Sequence, residues 1–197
     1  MSHATRTGGR DKWRYAVIKE LPNQDVAESG CYRIRMSLLI TDINMELKDR
    51  IEKAVELFKS GYNCSQSVVA AYADMYGFTE EQALRMSASF GGGIGRMRLT
   101  CGAACGMFML AGLEKGATEG KDREGKAANY ALVQELAAEF KKRNGSLICA
   151  ELLKLRKPEG SPVPEARTEQ YYARRPCARM IETAARIWVE YLEKQEI

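Results

Sequence analysis

Helical periodicity is the feature that most restricts how this chain can fold. From residue 46 onward, apolar residues recur at intervals of three and four, beginning with Ile51, Ala54, Val55 and Phe58. This spacing places such residues on one face of an α-helix. Glycines that can end a helix separate the periodic runs. The sequence therefore predicts an all-α fold, a compact multi-helix bundle of about six or seven helices.

Capping residues indicate where several of these helices begin. Asn63 precedes the predicted second helix, and Thr79 forms a capping box with Gln82 at the start of the third. Thr100 and Ser146 are candidate N-caps of later helices, and Pro176 suits the first position of the last helix. Between the last two helices, residues 157–168 carry three prolines and a glycine, which predicts an exposed connector.

The first 44 residues do not follow the helical pattern. Glycine- and proline-containing turns interrupt them, and only Tyr32 to Ile40 resembles a strand. We expect residues 1–44 to be an irregular or poorly ordered N-terminal extension, and residues 45–197 to form one helical four-cysteine redox domain. An alternative is that the natural chain starts at Met36 or Met45. The total of 197 residues suits one domain better than two.

Composition and charge argue against several classes of protein. The net charge is +4, and basic residues are scattered among acidic ones rather than gathered on one stripe, which disfavours nucleic acid as a partner. The uncharged stretch from Thr100 to Leu113 has 14 residues with three glycines, too short for a membrane span. No secretion signal is evident, so we expect a cytoplasmic protein.

Cysteines are concentrated at predicted helix starts. Five of the six fall within about the first turn of a helix: Cys64, Cys101, Cys105, Cys149 and Cys177. Helix starts carry unpaired N–H groups and partial positive charge, which favour the thiolate. If the helices run up and down, several starts meet at one end of the bundle. The sequence therefore predicts a reactive pocket containing several thiols.

Three functions are compatible with this cysteine pattern. The first is thiol/disulfide redox chemistry. The second is a metal–thiolate protein, in which Cys64, Cys101, Cys149 and Cys177 would hold zinc or an iron–sulfur cluster, although compact C-x-x-C pairs are missing. The third is a helical binding or scaffold module with buried, inert thiols. The single histidine, His3, leaves cysteine–histidine catalysis without a partner.

Pairing between helices is favoured over pairing within one. Cys101 and Cys105 are four residues apart on one helix face, where a disulfide would require local distortion. We therefore expect Cys101 to be the attacking thiol and Cys64 its leading partner, with Cys149 and Cys177 as a second pair or relay. Whether the protein is an enzyme stays open at this stage.

A glycine-rich segment, Gly91 to Gly95, precedes the fourth helix. It either binds an anion or lets another backbone or a ligand approach closely, and a structural role is favoured for Gly93 and Gly95. It is not a dinucleotide fingerprint, because Arg98 stands where the last glycine belongs. Arg96 and Arg98 are the nearest cations to Cys101, so either could stabilise a thiolate or bind an anionic substrate.

Five segments together resemble one known family, the redox-active proteins named for the pattern C_GCAxxG_C_C. These are Gly61–Val68, Phe90–Gly95, Cys101–Gly106, Ser146–Cys149 and Pro176–Cys177, and the resemblance covers about residues 46–195. It implies a small helical bacterial or archaeal protein, often encoded near transporter genes, with some relatives carrying selenocysteine.

The resemblance also assigns the family's four characteristic cysteines within this sequence. They fall on Cys64, Cys101, Cys149 and Cys177, with the glycine motif beginning at Cys101. Cys105 takes a variable position and Cys31 lies outside the pattern, so neither inherits a role. The thiol/disulfide redox hypothesis requires an electron donor or acceptor as partner, which the sequence does not identify. Separately, the small residues Gly102 and Gly106 permit close helix contact, either within one chain or in a homo-oligomer.

Overall fold

The described residues form a helical domain. The structure is a computed structural model that describes residues 46–156 and 161–195. Its α-helices are α1 (46–59), α2 (Cys64–Tyr72), α3 (Glu80–Ser87), α4 (Gly102–Lys115), α5 (Arg123–Asn144), α6 (Cys149–Leu152), α7 (Glu169–Arg174) and α8 (Cys177–Gln195). No strand occurs in these two ranges, which confirms the predicted all-α class. The predictions for residues 1–44, including the strand-like Tyr32 to Ile40, lie outside the described residues.

The predicted caps at α2 and α3 are confirmed. The Asn63 side chain accepts hydrogen bonds from the backbone N–H groups of Ser65 and Gln66, and the Gln66 side chain accepts one from Asn63. Thr79 and Gln82 form the same reciprocal arrangement at α3. These contacts are local in sequence, which is why the pattern of residue types was sufficient to find them.

The predicted caps at α4 and α6 are wrong by one or two residues. Thr100 and Ile148 form an antiparallel backbone bridge, which holds both residues extended. Consequently α4 begins after Cys101 rather than Thr100, and α6 begins after Ile148. The Ser146 hydroxyl still accepts a hydrogen bond from the Ile148 backbone N–H, but it does so outside the helix.

Helix α4 is the central element of the helical domain. It packs against α2, α5 and α8, and every residue from 101 to 107 is buried. Large buried side chains such as Tyr72 and Trp188 fill the surrounding core. The Tyr72 hydroxyl donates a hydrogen bond to the Ala185 carbonyl at 3.0 Å, which ties α2 to α8.

Two glycines let α4 approach α2 closely within this one chain. A Cβ added at Gly106 would lie 2.9 Å from the Val68 Cβ and 3.1 Å from the Ser65 carbonyl oxygen. A Cβ added at Gly102 would lie 3.2 Å from the Cys64 Cβ. The small side of α4 is therefore a helix contact inside the fold, and it brings the starts of α2 and α4 together.

We expect Gly106→Ala to lower the free energy of unfolding by about 1–3 kcal/mol, because the added methyl overpacks the contact with α2. The matched control is Gly112→Ala on the same helix, where an added Cβ meets nothing within 4 Å. That change should raise the free energy of unfolding by up to about 1 kcal/mol through helix propensity. Denaturant-induced unfolding measures both values, and equal stabilisation by the two substitutions would contradict the close contact.

Candidate functional site: the four-cysteine cavity

Four cysteines line one cavity of about 500 Å³. Cys64, Cys149 and Cys177 are the first residues of α2, α6 and α8, and Cys101 is the N-cap of α4. The structure thus brings together the four candidate residues that lie on separate helices. Cys105 is buried further along α4 and does not line this cavity.

A short backbone pairing positions Cys101 against Cys149. The Cys101 N–H donates to the Leu147 carbonyl at 2.7 Å, and the Cys149 N–H donates to the Leu99 carbonyl at 2.6 Å. These bonds flank the Thr100–Ile148 bridge. Nothing in the helical periodicity predicted this contact, because it joins two residues that lie between helices and are nearly fifty positions apart.

Glycines of the loop before α4 allow the backbone to pass close to the cysteines. A Cβ added at Gly93 would lie 2.6 Å from the Cys149 Cβ and 2.8 Å from the Arg98 Cα. One added at Gly91 would lie 2.3 Å from the Asn63 Cγ. The interpretation of this loop as a site of close backbone approach is therefore right.

The same loop has an unusual left-handed backbone. Five consecutive residues, from Gly92 to Arg96, have φ between 55° and 75°, and Arg98 follows with φ of 63°. Positive φ costs roughly 1–2 kcal/mol for a residue with a Cβ, most of all for a β-branched one such as Ile94. Backbone hydrogen bonds stabilise this conformation; for example, the Leu99 N–H donates to the Gly93 carbonyl at 3.0 Å. Two residues of the segment, Arg96 and Arg98, line the cavity.

Cys64 and Cys177 line the same cavity, and the ionisation of each depends on the other. Both are partly buried and carry no disulfide in the structure. The hydrogen bond from Cys64 is the main cause that lowers the pKa of Cys177 to about 7, and the charges of Arg175, Arg167 and Arg98 lower it further against the effect of burial. The same hydrogen bond, with burial, raises the pKa of Cys64 well above its usual value. The direction of these two pKa shifts favours a thiolate on Cys177 over one on Cys64.

Cys101 and Cys149 differ from Cys177, because burial is the main cause that shifts their pKa values. Burial raises the pKa of Cys101 to about 12, although the backbone N–H groups of Ala103 and Ala104 act in the opposite direction. Burial also raises the pKa of Cys149, while the charge and hydrogen bond of Arg98 oppose it. The pKa directions thus favour Cys177, rather than Cys101, as the first thiolate.

Arginine dominates the charged lining of the cavity. Arg96, Arg98, Arg167 and Arg175 all line it, whereas Glu165 is the one acidic residue among the described lining residues and pairs with Arg175. Sequence reasoning identified Arg96 and Arg98 but missed the other two. Arg175 could have been predicted to line the cavity, because it lies directly before Pro176 and Cys177. No feature of the sequence indicated the same for Arg167.

The cysteines do not form a ready metal site. Within residues 46–156 and 161–195, no group of three or more histidine, cysteine, aspartate or glutamate side chains is arranged to hold a metal ion. Thiolate zinc sites require sulfurs about 2.3 Å from the metal in a closed tetrahedron. The metal–thiolate alternative stays a prediction.

Among the described helices, none combines the length and apolar character that crossing a bilayer requires.

Fold and site together define a class: helical proteins with four cysteines from four helix starts around one arginine-lined cavity. A family model described as "Putative redox-active protein (C_GCAxxG_C_C)" matches residues 62–191, a range that includes all four cysteines. The chain belongs to this family, which confirms the resemblance found in the sequence. No curated protein and no solved structure matches the chain.

Proposed function

We propose that the protein carries out thiol/disulfide redox chemistry with Cys177 as the nucleophile and Cys64 as the resolving thiol. The observation that carries this proposal is the position of Cys64 and Cys177 at two helix starts that line one cavity, where Cys64 and three arginines lower the pKa of Cys177. A thiolate is the species that attacks disulfides. The family to which the chain belongs is described as redox-active, which supports the same chemistry.

In this proposal, Cys177 attacks an electrophilic sulfur of the oxidant and forms a mixed disulfide. Cys64 loses its proton and attacks the Cys177 sulfur, which gives a Cys64–Cys177 disulfide and releases the reduced oxidant. Two electrons leave the protein dithiol. Since α2 and α8 both pack against α4, the two sulfurs approach from the ends of helices that are already in place.

Cys101 and Cys149 supply a second dithiol beside the first. The backbone pairing at Thr100 and Ile148 holds them near each other, and their raised pKa values keep both protonated while Cys177 is ionised. We assign them the role of a reserve pair that reacts after the Cys64–Cys177 disulfide has formed. This arrangement replaces the expected pairing of Cys101 with Cys64.

Peptide mapping tests the proposed disulfide. Reduced protein is treated with bis(2-hydroxyethyl) disulfide, its remaining thiols are alkylated, and digested peptides are analysed by mass spectrometry. We expect a crosslink between the Cys64 and Cys177 peptides as the first product. It should be unchanged in the control Cys105→Ala, which alters a cysteine outside the cavity, and absent from Cys177→Ser. Full alkylation of both Cys64 and Cys177 after oxidant treatment would contradict the proposal.

A further inference from the structure

We infer that the cavity selects low-molecular-weight disulfides that carry carboxylate groups. This inference rests on the proposed function and names the substrate class of the same site. It follows from three properties of the cavity: its size, the charge of its walls, and the position of the reactive pair within it.

The size of the cavity indicates a small molecule. A volume of about 500 Å³ lies within the 300–1,000 Å³ of ordinary small-molecule sites. Cys64 and Cys177 are only partly exposed, and Cys101 and Cys149 are buried. A folded protein partner would have to insert an extended segment to reach them, whereas a small disulfide can enter the cavity.

The charge of the walls indicates an anion. The charged residues among the described lining are Arg96, Arg98, Arg167 and Arg175 and one acidic residue, Glu165, which pairs with Arg175. Clefts lined by one sign of charge concentrate ligands of the opposite sign. Arginine is also the side chain whose planar donors best match a carboxylate.

Arg167 provides an independent observation. Its guanidinium lies 4.6 Å from the Tyr171 ring centroid and 4.8 Å from that of Phe58, and its Nη2 donates to the Tyr62 carbonyl at 3.3 Å. Its Nη1 is buried but has no hydrogen-bond partner among the described residues. A buried donor of this kind normally has an acceptor. A substrate carboxylate in the adjoining cavity would supply one.

The reaction balances without any further reagent. The Cys177 thiolate attacks one sulfur of the substrate disulfide, so that the substrate S–S bond breaks and one substrate thiolate leaves. The Cys64 sulfur then attacks the Cys177 sulfur, the S–S bond between Cys177 and the substrate breaks, and the second half of the substrate takes the Cys64 proton and leaves as a thiol. The protein dithiol is oxidised by two electrons and the substrate disulfide is reduced to two thiols.

The test compares three disulfides that differ in charge: 3,3′-dithiodipropionate, bis(2-hydroxyethyl) disulfide and cystamine. Each oxidation rate of the reduced protein is divided by the rate of dithiothreitol with the same disulfide, which removes differences in intrinsic reactivity. At low salt we expect the anionic disulfide to react about tenfold faster than the neutral one, and cystamine to react slowest. The preference should shrink as ionic strength rises.

Arginine variants test whether the cavity itself provides the preference. Arg167→Gln should reduce the anionic-to-neutral rate ratio about threefold or more, while Arg167→Lys should retain most of it. The ratio cancels any change in the Cys177 pKa, which affects both substrates alike. The matched control is Arg186→Gln on α8, which removes an exposed charge paired with Glu182 and should leave the ratio unchanged.

Each outcome bears on one of the two proposals. Equal normalised rates for the three disulfides would overturn the substrate class but leave the redox function in place, provided that the Cys64–Cys177 crosslink forms. An equal loss of preference in Arg186→Gln and Arg167→Gln would also overturn the substrate class, because net charge would then explain the selectivity. Failure of every disulfide to oxidise the pair would overturn both proposals.

Discussion

Replacing Cys64 with alanine should slow the alkylation of Cys177 at pH 7 by about tenfold. In the structure, the hydrogen bond from Cys64 is the main cause that lowers the Cys177 pKa to about 7. Loss of a donor to the thiolate raises the pKa, toward about 8.5 for an ordinary cysteine, so the thiolate fraction at neutral pH falls. Iodoacetamide alkylation of the Cys177 peptide, followed by mass spectrometry as a function of pH, measures this shift directly.

The matched variant is Cys64→Ser, which keeps a donor at the same position. Its alkylation profile should stay close to that of the unaltered protein, because a hydroxyl donates to a thiolate as a thiol does. Neither substitution leaves a resolving thiol, so both remove the Cys64–Cys177 disulfide and only the profile separates them. Identical profiles in Cys64→Ala and the unaltered protein would show that the hydrogen bond does not control the Cys177 thiolate.

The contrast between Cys177 and Cys101 shows which physical effect determines thiol ionisation in this site. A helix start contributes about 0.3–1 kcal/mol toward a negative charge, which is less than one pKa unit. Burial can raise a thiol pKa by several units. At Cys101 burial dominates, and its pKa rises to about 12. At Cys177 a hydrogen bond and three arginines are added, and the balance reverses.

The fold was largely predictable because its determinants are local. Caps such as Asn63 and Thr79 act within three residues, and apolar spacing fixes the buried face of each helix. The small residues Gly102 and Gly106 predicted a close helix contact, which α4 makes with α2. The starts of α4 and α6 were predicted one or two residues too early, because the backbone pairing of Thr100 with Ile148 holds both residues outside the helices.

The sequence was sufficient to predict which cysteines line the candidate site, but not their pKa values. The four cysteines were identifiable as a set, since each stands at a helix start. The Cys177 pKa, however, depends on Cys64, which lies 113 positions earlier, and on Arg167 in the connector. Such contacts exist only once the helices have packed. The sequence predicted Cys101 as the nucleophile, whereas we propose Cys177, because its pKa is lowered by these contacts.

The glycine loop leads to the largest stability effect that we expect. Gly93→Ala should lower the free energy of unfolding by at least about 3 kcal/mol, combining an unfavourable φ with overpacking. Gly93 has a φ of 75°, and its added Cβ would lie 2.6 Å from the Cys149 Cβ and within 3 Å of the Arg98 backbone. Neither neighbour can move without displacing the backbone pairing that positions Cys149.

Gly95→Ala is the control that separates the two contributions. Gly95 has a similar φ of 55°, but an added Cβ there meets nothing within 4 Å. This variant should lose only the conformational part, about 1–2 kcal/mol. Denaturant-induced unfolding gives both values, and alkylation of Cys149 in whatever fraction folds reports whether its burial has changed. Equal losses in the free energy of unfolding would show that the loop is not closely packed against Cys149. The left-handed segment would then only connect two helices and would not line the cavity.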